Sequence, residues 1–235
     1  MIIGILQAGS VLAPFQGQFG DYPAMVTNLL RSVTAPDQLQ FRTYDVEHGV
    51  YPNGHDECDA FVITGSRDSV YDQKAWIRNL QAYVLILHRA NKKLVGICFG
   101  HQLIALALGG RTQACDKGWG VGVHNSKVIR SESFMTPQLM EFSLLVCHKD
   151  QVTRLPTGAE LLATSDFCPN AMFRVDQHIL AVQGHPEFSK GYARELMESR
   201  RDLLGAAIEP GMASLAVQTN ERQVAEWIVK FIVSG

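Results

Sequence analysis

The chain has 235 residues, 46% of them apolar and 19% charged, with 21 basic side chains against 23 acidic ones and a formal net charge of −2. That length allows one large domain with a sizeable core, and the mix is that of an ordinary globular protein. A near-neutral chain without a Lys/Arg-rich run lacks the footprint of a nucleic-acid binder, no stretch approaches a membrane span, and "MIIGILQAGS" has neither the basic start nor the apolar length of a signal peptide.

Taken in order, the first half alternates short β-rich runs with longer helical ones. "IIGILQ" reads as a buried strand and "PAMVTNLLRSV" as a helix; "LQFRTYDV" and "DAFVIT" read as the next two strands. In "AWIRNLQAYVLILHRA", Trp76, Leu80, Val84 and Leu87 mark one helical face. "KKLVGI" is a fourth strand, and "FGHQLIALALGG" a helix stopped by paired glycines. Strands alternating with helices of this length predict right-handed crossovers and a mostly parallel sheet flanked by helices. The second half changes character. "VGVHNSKVI", "SLLVCH", "AELLAT", "NAMFRV" and "ILAVQG" are closely spaced and strand-like, which predicts an antiparallel extension of the same sheet. From about residue 189 the chain turns helical, in "GYARELMESRRDLL" and "ERQVAEWIVKFI". With no repeat, low-complexity tract or linker, residues 1–235 are expected to form one three-layer α/β domain with a helical tail.

Five cysteines, at positions 58, 98, 115, 147 and 168, include no C-x-x-C pair. Neither a disulfide framework nor a zinc site is expected, and the reading is of a reduced, cytoplasmic protein. Among the eight histidines, no i, i+4 pair with an acidic companion points to a metal, so no metal and no cofactor are expected.

Cys98 stands where the fourth strand gives way to a helix, in "GICFG". This has the form of the nucleophile elbow G-x-S-x-G with Cys for Ser. Small residues two positions away on each side relieve the crowding of so sharp a turn. The helix N-terminus beneath the sulfur favours thiolate, and the amide of Phe99 is placed for an oxyanion hole. A buried structural cysteine near glycines is the plainer alternative.

A thiol nucleophile needs a proton partner. In "VQGHPEF", His185 follows an apolar strand and so falls at its C-terminal end, the edge where open α/β sheets place their sites. Pro186 turns the chain out of the sheet. Glu187 can reach back to fix the imidazole tautomer, as the third member of a triad does. "VITGSRDSVYD" leaves the third strand at the same edge, where Gly65 and Ser66 can offer a bare amide to an oxyanion. A surface His in a turn and an ordinary loop are the plainer alternatives.

Together, "GICFGHQ" and "GHPE" resemble the nucleophile and histidine boxes of the class I, or triad, glutamine amidotransferases, in that family's order and over most of the chain, from the first strand to about Phe188. The resemblance implies a flavodoxin-like α/β fold, Cys98 as nucleophile, His185 as acid-base group, Glu187 as its orienter, and Phe99 and Ser66 as oxyanion amides. It further implies that Gly65, Gln102, Cys147, His148 and Lys149 contact the substrate, Gln102 and the "VCHKDQV" segment at its α-amino acid end. Two departures bear on specificity: the Gly-Gly-Pro type oxyanion loop is "TGSRD" here, and Cys147 stands where Ser or Asn is usual. Many relatives are fused to, or pair with, an ammonia-consuming synthetase. The sequence ends at Gly235 with no room for one, so the expected likeness is to the stand-alone, GMP-synthase-like branch that includes γ-glutamyl peptidases. The implied activity is hydrolysis of a γ-glutamyl amide through a thioester on Cys98. The substrate is glutamine or a γ-glutamyl peptide or amine, and a synthetase partner remains an open option. Related folds that act as hydratases place their His elsewhere, and a catalytically silent regulatory partner is the non-enzyme alternative.

Overall fold

The structure, a computed structural model, describes residues 1–234. Its frame is a nine-stranded sheet with the strand order β2-β1-β3-β4-β11-β10-β9-β6-β7. Strands β1 (Ile2–Gln7), β2 (Gln40–Asp45), β3 (Ala60–Ile63), β4 (Lys93–Ile97) and β11 (Ile179–Val182) run parallel. Strands β10 (Met172–Val175), β9 (Ala159–Thr164), β6 (Gly120–Val128) and β7 (Glu141–His148) then continue the sheet with antiparallel pairings. The mostly parallel centre and its antiparallel extension are those the sequence predicts.

Two apolar layers follow from the two-residue period of the buried strands. On one face, Ile3, Ile5, Val62, Val95 and Ile97 meet α2 (Tyr22–Arg31) and α8 (Glu221–Val233), whose Trp227 is fully buried and donates its Nε1–H to the Pro137 carbonyl at 2.9 Å. On the other, Leu6, Phe61, Ile63 and Leu94 meet α3 (Ala75–Arg89) and α4 (Phe99–Ala107). In α3, Leu80, Val84 and Leu87 are fully buried as the helical period requires; Trp76 is half-buried and leans on Phe99, their ring centroids 5.4 Å apart.

The helical tail starts at Ser189, whose hydroxyl accepts from the Tyr192 N–H at 3.1 Å, a capping contact. Its first part comprises α5 (Lys190–Ser199), α6 (Arg201–Leu204) and α7 (Ile208–Ser214), and packs Tyr192, Leu196, Leu204 and Ile208 against Val121 and Leu145 of the antiparallel strands; α8 ends it. "GYARELMESRRDLL" reads as one helix but breaks at Arg200, where φ is −117° and ψ is 18°.

Besides the single 3-10 turns at Val46–His48 and Gly205–Ala207, four short elements escape the sequence reading. α1 (Ala13–Phe19) buries no residue and so leaves no apolar stripe. β5 (Arg111–Ala114) and β8 (Asp150–Arg154) form a separate two-stranded ribbon, mostly polar and hence without a legible period. α7 contains Pro210 and Gly211, both poor helix signals; the glycine is needed because a Cβ there would lie 2.7 Å from Val121 Cγ2.

Because the central strands are parallel, the segments after β1, β3, β4 and β11 emerge at one edge. That edge carries Gly65, Cys98 and His185.

Candidate active site

Cys98 links β4 to α4 with φ 52° and ψ −98°, a backbone conformation that costs a non-glycine residue about 1–3 kcal/mol. The surroundings hold it there. Its N–H donates to the Val182 carbonyl at 2.9 Å and its carbonyl accepts from Gln102 N–H at 3.1 Å. The flanking glycines explain themselves by close approach: a Cβ on Gly96 would lie 2.6 Å from the carbonyl carbon and oxygen of Gly100, and one on Gly100 would lie 2.6 Å from the Ile63 carbonyl oxygen. The helix start is therefore pressed directly onto β3 and β4. The amides of the first turn, Phe99 among them, have no i−4 carbonyl within the helix and face the turn that carries the sulfur.

His185 is held from three sides. Its N–H donates to the Leu145 carbonyl at 2.8 Å, its ring stacks on Phe188 with centroids 3.8 Å apart and planes 10° apart, and Nδ1 meets Glu187 Oε1 at 2.7 Å. The Glu187 contact engages Nδ1 and leaves Nε2 free, and the charge of the neighbouring Cys98 side chain acts on the ring. Burial lowers the imidazole pKa. The charges of Cys98 and Glu187 outweigh it, and the net position is well above the ordinary histidine value. The Glu187 side chain is itself only 1% exposed. Gly65 completes the group: a Cβ there would sit 3.0 Å from His185 Cε1 and 4.0 Å from Cys98 Cβ.

A cleft of about 310 Å³ opens above the sulfur. Cys98, Phe99 and Gln102 form its floor; Ser66 and the following loop form one wall, and Cys147, His148 and Lys149 the other. Of the site residues expected from sequence, Ser66, Cys98, Phe99, Gln102, Cys147, His148 and Lys149 line this cleft; Gly65, His185 and Glu187 do not. Gln102 donates Nε2 to the Asp150 carbonyl at 2.8 Å and to Gln183 Oε1 at 3.1 Å, which fixes its orientation. His148 is buried, bonds the Asp150 carbonyl through Nδ1 at 3.0 Å, and is driven by burial to a pKa of about 3, so it is neutral. Burial also pushes the Cys147 thiol up. Lys149 is exposed at the rim.

Three features here have no sequence signal. The Asp150 carboxylate accepts from Ser69 Oγ and, at 2.9 Å, from the Tyr71 hydroxyl, tying the loop that carries Ser66 to the opposite wall. Trp119 lines the cleft from the start of β6. Arg200 enters it from the tail, as a consequence of the helix break.

One further group has metal-ligand character. Donor atoms of His88, Asp176 and His178 lie within 4.8 Å of one another, at the opposite edge of the sheet, where β11 begins. There His88 Nδ1 and His178 Nε2 are 2.9 Å apart with ring centroids at 5.0 Å, so the two nitrogens face each other rather than a common third point. No helix among the described residues is long and apolar enough to cross a membrane.

Known proteins resemble this chain in sequence and in fold. Residues 22–201 match the family model "Glutamine amidotransferase class-I". The chain is 30% identical over 206 residues to Gamma-glutamyl peptidase 4 of Arabidopsis thaliana, covering 85% of this chain and 81% of that one. It is 32% identical over 127 residues to a glutamine-hydrolyzing GMP synthase of Porphyromonas gingivalis, covering 54% of this chain and 24% of the synthase. In fold it resembles a glutamine amidotransferase from Thermotoga maritima with a TM-score of 0.75 at 16% identity, over 99% of this chain and 95% of that one. The chain belongs to the class I glutamine amidotransferase family.

Proposed function

We propose that residues 1–235 act as one catalytic unit, a cysteine hydrolase that cleaves the γ-amide of γ-glutamyl compounds whose leaving amine is larger than ammonia. The observation that carries this reading is the line Glu187–His185–Cys98 beneath an open cleft, with the sulfur on a strained elbow at a helix start. The Cys98 thiolate attacks the γ-carbonyl carbon, and the amides of Phe99 and Ser66 receive the oxyanion. His185, whose pKa is held above the ordinary value by Cys98 and Glu187, gives its proton to the leaving nitrogen as the C–N bond breaks. Water then gives a proton to His185 and attacks the γ-glutamyl thioester, releasing glutamate and restoring the thiolate. Gln102, Lys149 and the adjoining carbonyls hold the α-amino acid end. The Arabidopsis γ-glutamyl peptidases, matched over most of both chains, support a peptide-type leaving group. The GMP synthase match favours a second reading, a glutaminase that hands ammonia to a synthetase partner.

The test is kcat/KM of the protein alone for glutamine and for a γ-glutamyl dipeptide. Preference for the dipeptide is expected. Preference for glutamine, or turnover only once a second protein is added, returns the reading to a partner-dependent amidotransferase.

A further inference from the structure

Arg200 is a cation without a counterion at the catalytic cleft. Its backbone is fixed at the joint between α5 and α6, the N–H donating to Met197 O at 3.1 Å and the carbonyl accepting from Leu204 N–H at 2.9 Å. The half-buried guanidinium makes one side-chain contact, from a terminal nitrogen to Cys147 Sγ at 3.5 Å. Among the described residues no carboxylate forms an ion pair with it. The acids beside it in the cleft are committed elsewhere, Asp68 to Lys74 at 2.6 Å and the Asp150 carboxylate to the Ser69 and Tyr71 hydroxyls, while Glu187 pairs with His185. The other titratable neighbours offer no charge to pair with. Burial pushes the Tyr22, Tyr192 and Cys147 groups up, so all three are neutral at ordinary pH, and His185 is cationic. A guanidinium has five N–H donors in a fork that matches a carboxylate. This one uses a single donor, on a weak sulfur acceptor.

Its position says which part of a substrate it meets. Arg200 lines both the main cleft and a smaller adjoining pocket that holds Ser66, Cys147 and His185. The proton from His185 goes to the leaving nitrogen, so groups on the His185 side of the sulfur face the leaving group. The smaller pocket includes neither Gln102 nor Lys149, which line the main cleft only. We infer that Arg200 is a specificity-determining residue that binds a carboxylate of the leaving amine, so the favoured substrates are γ-glutamyl amino acids and peptides with a free carboxylate rather than γ-glutamyl alkylamides. This rests on the γ-glutamyl hydrolase reading and deepens it.

The experiment compares two substrates that differ in that carboxylate, γ-glutamylglycine and γ-glutamyl ethylamide, with the full-length protein and its Arg200→Met and Arg200→Lys variants, after circular dichroism has shown each to be folded. In Arg200→Met the ratio of kcat/KM for γ-glutamylglycine to that for the ethylamide should fall about tenfold or more, mostly through KM, since a charge-assisted hydrogen bond is lost. Arg200→Lys should restore part of it. An unchanged ratio, or an equal fall on both substrates, overturns the inference while leaving the hydrolase reading in place. Turnover of neither substrate by the unmodified protein overturns both.

Discussion

Gly96→Ala tests the elbow most sharply. The new Cβ would lie 2.6 Å from backbone atoms of Gly100 and from Ile104 Cδ1. The isoleucine can swing aside; the backbone cannot. To reach ordinary contact at 3.4 Å, the start of α4 has to move away from β4 by about 0.8 Å. It cannot move freely, because Gly100 is itself pressed against Ile63 on β3. Overpacking of this kind costs about 3 kcal/mol, or about 6–12 °C in Tm for a chain of this size. The same displacement carries the Phe99 amide and the Cys98 sulfur out of line with His185. A misplacement of about 1 Å costs on the order of 100-fold in rate. Thermal unfolding and glutamate release from a γ-glutamyl dipeptide measure the two effects on one preparation. A variant within about 1 kcal/mol of the parent in stability and threefold in turnover would refute the claim that close helix packing positions the nucleophile.

Other outcomes follow from the same geometry. Cys98→Ala should lose at least about 1,000-fold in turnover yet remain folded. Cys98→Gly should be equally inactive but about 1 kcal/mol more stable than Cys98→Ala in denaturant unfolding, because glycine tolerates a φ of 52° and relief of strain exceeds its entropic cost. Equal stability of the two would remove strain from the account. The pH profile has a definite sign. His185 has a raised pKa, so its contribution to stability is complete below the unfolded value near 6.5 and is lost as pH rises through the folded value. The alkaline limb of kcat/KM should therefore lie above 6.5, and Glu187→Gln should move it to lower pH; a limb that stays in place would show that Glu187 does not act through the imidazole.

Much of the site is legible in sequence because its chemistry sits in unbroken strings. Cys98, Phe99 and Gln102 share one strand-to-helix turn, and His185 and Glu187 one strand exit. The sheet edge then brings the two strings together without further information. The parallel strands are legible for a related reason, since their long apolar runs reflect burial on both faces. Arg200 is hidden by the opposite situation. "MESRRDLL" reads as uninterrupted helix, and only tertiary packing of Tyr192, Leu196 and Leu204 decides where the helix breaks and which arginine turns inward. The tether from Asp150 to Ser69 and Tyr71 joins residues about eighty positions apart on segments with no periodic pattern, so it too exists only in the folded chain.

The central claim is that Cys98 becomes acylated. Mixing the protein with a γ-glutamyl dipeptide, quenching in acid within the first turnover and mapping the digest by mass spectrometry tests it directly. The account predicts a γ-glutamyl adduct on the peptide that carries Cys98, absent from the other four cysteines and lost in Cys98→Ala. Turnover with no adduct, or an adduct on a different cysteine, would contradict it.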